Sequence, residues 1–410
     1  MTANRPRLVV VGNGMAGARF LEELLRLAPE PYELAVFGAE AVGNYNRILL
    51  SPVLSGEKQP ADIITHPPAW YARHGIALYA DDPVIAIDRS ARLVTTLGGR
   101  SERYDHLVLA TGSRPFLPPI QGLDLPGVQC FRTLADAGAM IEAARSRRRA
   151  VVIGGGLLGL EAAHGLIRRG MDVTLIHLCP VLMERQLDAH AASLLQRSLE
   201  TRGLRLILPA QTQALLGDTR VRAVRLTDGR ELPADLVVIA AGIVPETQLA
   251  RAAGLACERG VIVDDVLLTS DPAISAIGEC AQHRKQCYGL VAPLYQQARV
   301  CAARLAGDAA ARYAGSVVST KLKVTGIEVF SAGEFNGGEG CQTIVLRDPR
   351  RGIYKKLVLR EQRLVGAVLY GDIRDGAWYA RLMQSGENLQ GMRSRLVFGQ
   401  RYAEAKAEAA

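Results

Sequence analysis

Two Gly-x-Gly-x-x-Gly turns in one chain, each set between a short apolar strand and a helix-period stretch, predict an α/β fold with two Rossmann-like dinucleotide-binding domains. Each unit later ends in a matching strand that stops at glycine and proline. Residues 107–109 run into Ala110-Thr111-Gly112-Ser113-Arg114-Pro115, and residues 236–239 run into Ala240-Ala241-Gly242-Ile243-Val244-Pro245. Such an ending brings backbone close to a ligand at the strand's carboxyl end. A tail with two strand-like stretches, 354–359 and 364–370, and a helix-like stretch, 378–384, adds a small C-terminal α/β domain.

Taken in order, residues 8–11 are a four-residue apolar run, the length of a buried parallel strand. Gly12-Asn13-Gly14-Met15-Ala16-Gly17 follows, then a helix-period stretch at 18–27 and a second strand at 32–37. The first glycine allows a tight turn, the second lets backbone approach a pyrophosphate, and the third lets helix pack on strand. The helix N-terminus then offers unpaired N–H groups and about half a positive charge. With 41 glycines in 410 residues, three fixed glycines arise by chance about 0.4 times per chain, so the motif alone carries little. Its recurrence with full context carries more. Residues 150–153 form the strand, Gly154-Gly155-Gly156-Leu157-Leu158-Gly159 the turn, 160–169 the helix and 172–176 the next strand. The duplication implies two dinucleotides, most simply a flavin and a nicotinamide held face to face.

Composition excludes other classes. A chain of 410 residues, 49% apolar and 22% charged, can bury a large core in two to three domains. The net charge of +8 is spread along the chain, and the basic run Arg147-Arg148-Arg149 is too short for a nucleic-acid arm. With aromatics at 5%, stacking platforms for single strands are not expected either. No apolar stretch approaches the roughly 20 residues of a membrane helix. The N-terminus is too short in apolar residues for a signal peptide, and a cytoplasmic location is expected. Seven scattered cysteines without a Cys-x-x-Cys indicate neither a disulfide framework nor a metal or iron–sulfur site.

The stretch Thr269 to Ala276, ending in Ile277-Gly278-Glu279-Cys280, resembles the second flavin motif of the pyridine nucleotide–disulfide oxidoreductase superfamily. Within that superfamily the chain is most similar to the N-terminal flavoprotein part of the NAD(P)H-dependent assimilatory nitrite reductase large subunit. Further residues carry this likeness: Tyr45-Asn46-Arg47, Ala110-Thr111-Gly112-Ser113, 154–161, Leu182-Met183-Glu184-Arg185-Gln186-Leu187-Asp188, 289–293 and 319–323. The resemblance implies a FAD domain from 1–117 and 246–315, an NAD(P)H domain at 118–245 and a C-terminal domain at 316–410. It also implies a free-standing reductase module, since no cysteine cluster for iron–sulfur or sirohaem groups precedes Ala410. Residues 402–410, rich in Ala, Glu and Lys, are expected to fray.

The same resemblance implies FAD contacts at Gly12, Gly14, Met15, Gly17, Arg47, Thr111, Gly112, Gly278, Glu279 and Pro293. The acid for the flavin adenosine ribose falls at Ala39, and Glu40 next door is the candidate substitute. Pro293 is expected in the first turn of a helix at 294–303 whose N-terminus faces the flavin and favours negative charge there. For NAD(P)H the implied contacts are Gly154, Gly156, Leu158, Gly159, Glu161 and Gly242. An NAD-selective site puts an acid at the end of the second strand, but this chain has His177 there. With Arg185 nearby, His177 could accept a 2′-phosphate through bonds of about 1.5–3 kcal/mol, so strict NADH specificity is not expected and NAD(P)H, with NADPH slightly favoured, is the expected co-substrate.

Relatives that reduce disulfides or peroxide carry cysteines beside the flavin that this chain lacks, and Cys280 reads as a small buried hydrophobe. Hydride is therefore expected to pass from nicotinamide to flavin N5 and electrons onward to a separate polypeptide, with the flavin supplying the chemistry. The acceptors implied are a nitrite or nitrate reductase subunit, a ferredoxin or a rubredoxin, and a homodimer is compatible with the sequence. Pro52 stands where ferredoxin and rubredoxin reductases usually have a lysine near the flavin, which favours the nitrite reductase type over them. A nucleotide-sensing flavoprotein of the apoptosis-inducing-factor kind is the alternative from another class.

Overall fold

The apolar runs of the sequence become the central strands of two parallel sheets. A computed structural model describes residues 5–30, 32–317, 319–324 and 326–404. These form two units: Met1–Leu50, Lys58–Phe116 and Ile243–Ser316 make the first, and Ser51–Glu57, Leu117–Gly242 and Val317–Ala410 the second.

In the first unit the five-stranded parallel sheet has the order Ile274–Ala276, His106–Leu109, Arg7–Val11, Glu33–Phe37, Ile76–Tyr79. Leu8, Val9 and Val10 are fully buried, the unalternating pattern of a strand covered on both faces. Helix Met15–Leu27 packs on the sheet through Phe20, Leu21 and Leu24. Strand Ser113–Pro115 pairs antiparallel with Ile243–Pro245, joining the chain leaving this unit to the chain returning to it.

The second unit repeats the plan. Its parallel sheet has the order Val128–Cys130, Leu236–Ile239, Arg149–Ile153, Asp172–Ile176, Arg205–Ile207, with helix Leu157–Arg168 after the central strand. Its small segment 51–57 belongs here because Leu54 lies against Gly165 and accepts a hydrogen bond from Arg169.

Both glycine-turn helices start three residues before the expected 18 and 160, at Met15 and Leu157. The third glycine of each motif is thus inside the first helical turn, and the second is the residue that caps it. Reading glycine as turn hides this, because Gly17 and Gly159 are helical for close packing rather than for flexibility.

The tail forms a five-stranded antiparallel sheet in the order Ser319–Val324, Ile327–Gly333, Arg363–Tyr370, Ile353–Arg360, Cys341–Asp348. Helix Gly376–Ser385 covers it with Trp378, Tyr379 and Leu382. The sequence predicts only Arg363–Tyr370 and its neighbour Ile353–Arg360; Cys341–Asp348 is an edge strand of half-buried and exposed residues, whose apolar run, Ile344-Val345-Leu346, is too short to announce it. Three bonds tie the sheet to helix Ala189–Thr201. Tyr354 donates to the Asp188 carboxylate (2.6 Å), Lys356 lies 3.4 Å from it, and Tyr370 donates to the Leu194 carbonyl (3.3 Å). Asp188 also caps that helix, accepting from the Ala191 N–H.

Tyr402 and Ala403 lie in a short helix, Gln400–Ala403, with Glu404 as its C-cap; the rest of the stretch expected to fray, 405–410, lies outside the described residues. Among the described residues no helix is long and apolar enough to cross a membrane.

Candidate dinucleotide-binding sites

Close packing explains two glycines of each motif, and open space explains the third. Gly12 has φ +110°, and a Cβ there would sit 2.1 Å from the Ala110 carbonyl oxygen. A Cβ on Gly17 would sit 2.3 Å from the Gly12 oxygen. Gly14, with φ −81°, could carry a Cβ that meets nothing within 4 Å. The second motif repeats this point for point. Gly154 has φ +122° and would clash with the Ala240 oxygen at 2.2 Å, Gly159 would clash with the Gly154 oxygen at 1.9 Å, and a Cβ on Gly156 meets nothing within 4 Å. The middle glycine of each turn is therefore not required by the protein's own packing. It keeps a surface open at a helix N-terminus, the place and polarity of a dinucleotide pyrophosphate. The residues present fit one dinucleotide in each unit.

In the first unit the candidate FAD residues gather at the carboxyl ends of the sheet. A Cβ on Gly278 would lie 3.0 Å from that of Ala16, so the two flavin motifs meet. Ser113 donates to the Glu279 carboxylate (2.7 Å), and Thr111 donates to the Glu246 carbonyl (3.0 Å) beside Gly112. Pro293 is buried in the first turn of helix Val291–Leu305, which begins three residues before expected because Val291 and Ala292 extend it beyond the proline. Gln297 of that helix accepts from the Gly278 N–H (2.8 Å), fixing the helix against the motif.

Glu40 and Arg47, expected at the adenosine ribose and the pyrophosphate of FAD, form an ion pair with each other. The Tyr45 hydroxyl also donates to Glu40 (2.8 Å), and Asn46 positions Arg47 by accepting from the Ile48 N–H. Asn13, which sequence reading passed over, holds the turn. Its side-chain oxygen accepts from the Tyr71 hydroxyl (2.7 Å) and its carbonyl from the Asn44 amide (3.0 Å). Only its position between two motif glycines signals it.

Cys280 is fully buried and donates towards the Ile277 carbonyl at 3.2 Å. Burial pushes its thiol up, and that of Cys301 up to about 11, so both are neutral thiols at physiological pH and poor nucleophiles.

In the second unit Gly154, Gly156, Leu158, Gly159, His177 and Gly242 lie at the carboxyl ends of the strands or the helix start they feed. His177 is buried rather than offered to solvent. Its Nδ1 accepts from the Gly155 N–H (3.1 Å), and its Nε2 lies 3.0 Å from the Glu184 carboxylate. The expected cationic pair with Arg185 is thus not what the geometry shows: Arg185 is exposed, and the residue facing His177 is an acid. Glu184 and Arg185 are neighbours in sequence, and only the backbone course of the loop decides that the acid, not the arginine, faces His177.

Glu161 lies in helix Leu157–Arg168, and burial pushes its carboxyl up to about 7. Its ordinary value being 4.5, the unfolded chain releases this proton first as pH rises, so stability falls between those two values and is level above them. Glu161→Gln should therefore leave stability at pH 4 unchanged and raise it at pH 8 by about 1–2 kcal/mol, below the full linkage value because the residue is partly exposed. Denaturant melts of the FAD-loaded protein at both pH values measure this; an equal gain at both would show that titration is not involved.

Comparison with known proteins places this geometry. Residues 6–303 match the pyridine nucleotide-disulphide oxidoreductase family, and 319–387 match the rubredoxin NAD+ reductase C-terminal domain. The chain belongs to the pyridine nucleotide-disulphide oxidoreductase family. It is 50% identical over 372 residues to nitrite reductase [NAD(P)H] of Bacillus subtilis, covering 91% of this chain and 46% of that protein. It is 46% identical over 371 residues to the assimilatory nitrate reductase electron transfer subunit of the same organism, covering 90% and 48%. The chain thus spans about half the length of these relatives. Among solved structures, the ferredoxin reductase for the CYP199A2 system from Rhodopseudomonas palustris is similar at 29% identity and a TM-score of 0.84, covering 91% of this chain and 93% of that one. The family member described here is a flavin-dependent NAD(P)H oxidoreductase, with FAD as cofactor and NAD(P)H as co-substrate.

Proposed function

We propose that this chain passes electrons from NAD(P)H through FAD to a separate redox protein in nitrite or nitrate assimilation. The observation that carries the reading is the repeated cradle, with Gly14 and Gly156 each leaving room that no side chain of the protein needs. The relatives named for nitrite reduction and for electron transfer to nitrate reductase support the assimilatory role.

When bound, FAD supplies the conversion of a two-electron hydride donor into single electrons for a protein acceptor. The chain's residues bind and orient. Gly12, Gly14, Met15 and Gly17 present the N-terminus of helix Met15–Leu27 to the flavin pyrophosphate, and Arg47 adds charge near it. Glu279, held by Ser113, would take the ribityl chain. Thr111, Gly112 and Gly278 keep backbone close to the flavin, and Pro293 starts the helix whose N-terminus favours negative charge on the ring by about 0.3–2 kcal/mol. Glu40 would serve the adenosine ribose on exchanging Arg47 for it. Gly154, Gly156, Leu158 and Gly159 hold the nicotinamide cofactor's pyrophosphate in the same way, with Gly242 and Glu161 alongside. No side chain is required as acid, base or nucleophile.

The domain division read from the sequence follows from this reading: FAD on 1–117 and 246–315, NAD(P)H on 118–245, and 316–410 as the tail domain. A ferredoxin or rubredoxin acceptor is the second reading, favoured by the match of 319–387 to a rubredoxin reductase domain. The +8 charge suits the acidic surface of either kind of carrier.

Anaerobic stopped-flow mixing tests the proposal. NADH or NADPH should bleach the flavin at rates on the order of 10 per second, and a one-electron acceptor protein should restore the colour. A long-lived charge-transfer band with slow turnover would refute an electron-transfer role. Comparing a nitrite or nitrate reductase subunit with ferredoxin and rubredoxin as acceptors separates the two readings.

A further inference from the structure

His177 follows strand Asp172–Ile176, the position where a dinucleotide-binding fold presents the acid for the adenosine ribose. A backbone N–H can only donate, so the Gly155 N–H at 3.1 Å makes Nδ1 the acceptor and leaves the ring proton on Nε2. That proton is then donated to the Glu184 carboxylate at 3.0 Å. The segment carrying Glu184 is fastened to the glycine turn. The Met183 N–H donates to the Gly155 carbonyl (3.0 Å), and the Gln186 and Leu187 N–H groups return to the Met183 carbonyl (2.7 and 2.8 Å). Met183 is buried at φ +53°, a left-handed conformation that costs a residue with a side chain about 1 kcal/mol or more. That bend precedes Glu184 and turns it back towards the strand end. A Cβ on Gly155 would fall 2.7 Å from both the His177 ring and the Leu182 side chain, so turn, histidine and loop are packed as one body.

We infer that Glu184 is the carboxylate that reads the adenosine ribose of the nicotinamide cofactor and makes this site select NADH over NADPH, with His177 as its positioning residue. The inference rests on the reading that the second glycine turn holds NAD(P)H. A carboxylate fixed here accepts from the ribose hydroxyls and repels a 2′-phosphate, and the Glu184 side chain, 36% exposed, is accessible to a ligand. Its placement reverses the expectation that His177 and Arg185 welcome that phosphate, because the Nε2 proton is committed to an acid. One other use of these groups is a metal site, since ligand atoms of His177, Cys179 and Glu184 lie within 4.8 Å of one another. A metal on Nε2 would need the lone pair there and would move the ring proton to Nδ1, donor against donor with Gly155. The tautomer therefore favours the carboxylate clamp.

Calorimetric titration of the FAD-loaded protein with NAD+ and with NADP+ tests this without turnover. Wild type should bind NAD+ more tightly by about tenfold or more, and Glu184→Gln should lower that preference about tenfold, chiefly by tightening NADP+. A wild type preferring NADP+ overturns the inference and needs no variant to fold. So does an unchanged ratio in Glu184→Gln with both nucleotides still bound, which leaves the NAD(P)H assignment standing. Binding of neither nucleotide to wild type would overturn that assignment and the inference with it. Stoichiometric Zn2+ binding to wild type, abolished in both Glu184→Gln and Cys179→Ser, would reassign the cluster to a metal and overturn the inference too.

Discussion

Gly14→Val is expected to give a folded protein that purifies without flavin. The site tolerates the substitution in protein terms: φ is −81°, ψ is −170°, and a Cβ meets nothing within 4 Å. Valine in place of glycine at a helix cap costs about 1 kcal/mol or less, small against the stability of a domain. The new side chain would occupy the space proposed for the FAD pyrophosphate and block approach to the first free N–H groups of helix Met15–Leu27. The measurement is flavin absorbance per protein together with circular dichroism. A yellow, fully loaded variant would remove FAD from the first glycine turn. Gly12→Ala serves as the contrast, since its Cβ would lie 2.1 Å from the Ala110 oxygen at a left-handed φ and should cost several kcal/mol of stability, ~3 or more.

Gly156→Val is expected to keep the flavin and lose its reduction. Here too φ is −81° with open space around the Cβ, so the second unit should fold. FAD occupancy should match wild type because all proposed FAD residues lie in the first unit. Bleaching by NADH or NADPH should slow by about a hundredfold or more, as expected when a cofactor's phosphate anchor is blocked, while a small chemical reductant such as dithionite still bleaches the variant. Normal reduction by both nucleotides would mean that the second turn is not their site. The two valine variants thus separate the halves: one removes the colour, the other removes its response.

Much of this was legible from residues alone where local rules suffice. The runs at 8–11 and 150–153 are apolar without alternation, which only strands covered on both faces are, and both occupy the middle of their sheets. The glycine turns announced themselves by repetition. Helix starts were misplaced because Gly17 and Gly159 were read as turn, whereas each is a helical residue whose missing side chain admits the carbonyl of the first glycine. Of the tail strands the sequence does not announce, Cys341–Asp348 is a part-exposed edge strand, whereas Ile327–Gly333 is mostly buried but mixes Glu328, Ser331 and Gly333 into a short apolar stretch, so that pairing register defines it.

Chain order and residue type thus sufficed for the duplication, the cofactor class and the family, since a glycine where a phosphate must approach is a constraint on one position and is written at that position. The pairings around those glycines needed three dimensions. Glu40 with Arg47, Ser113 with Glu279 and His177 with Glu184 are separated in sequence by anything from 7 to 166 residues. Which acid faces His177 depends on a left-handed Met183 and on a backbone bond to Gly155, features that no spacing rule encodes. A side chain's partner is set by where the packed backbone carries it, and that is a property of the whole fold.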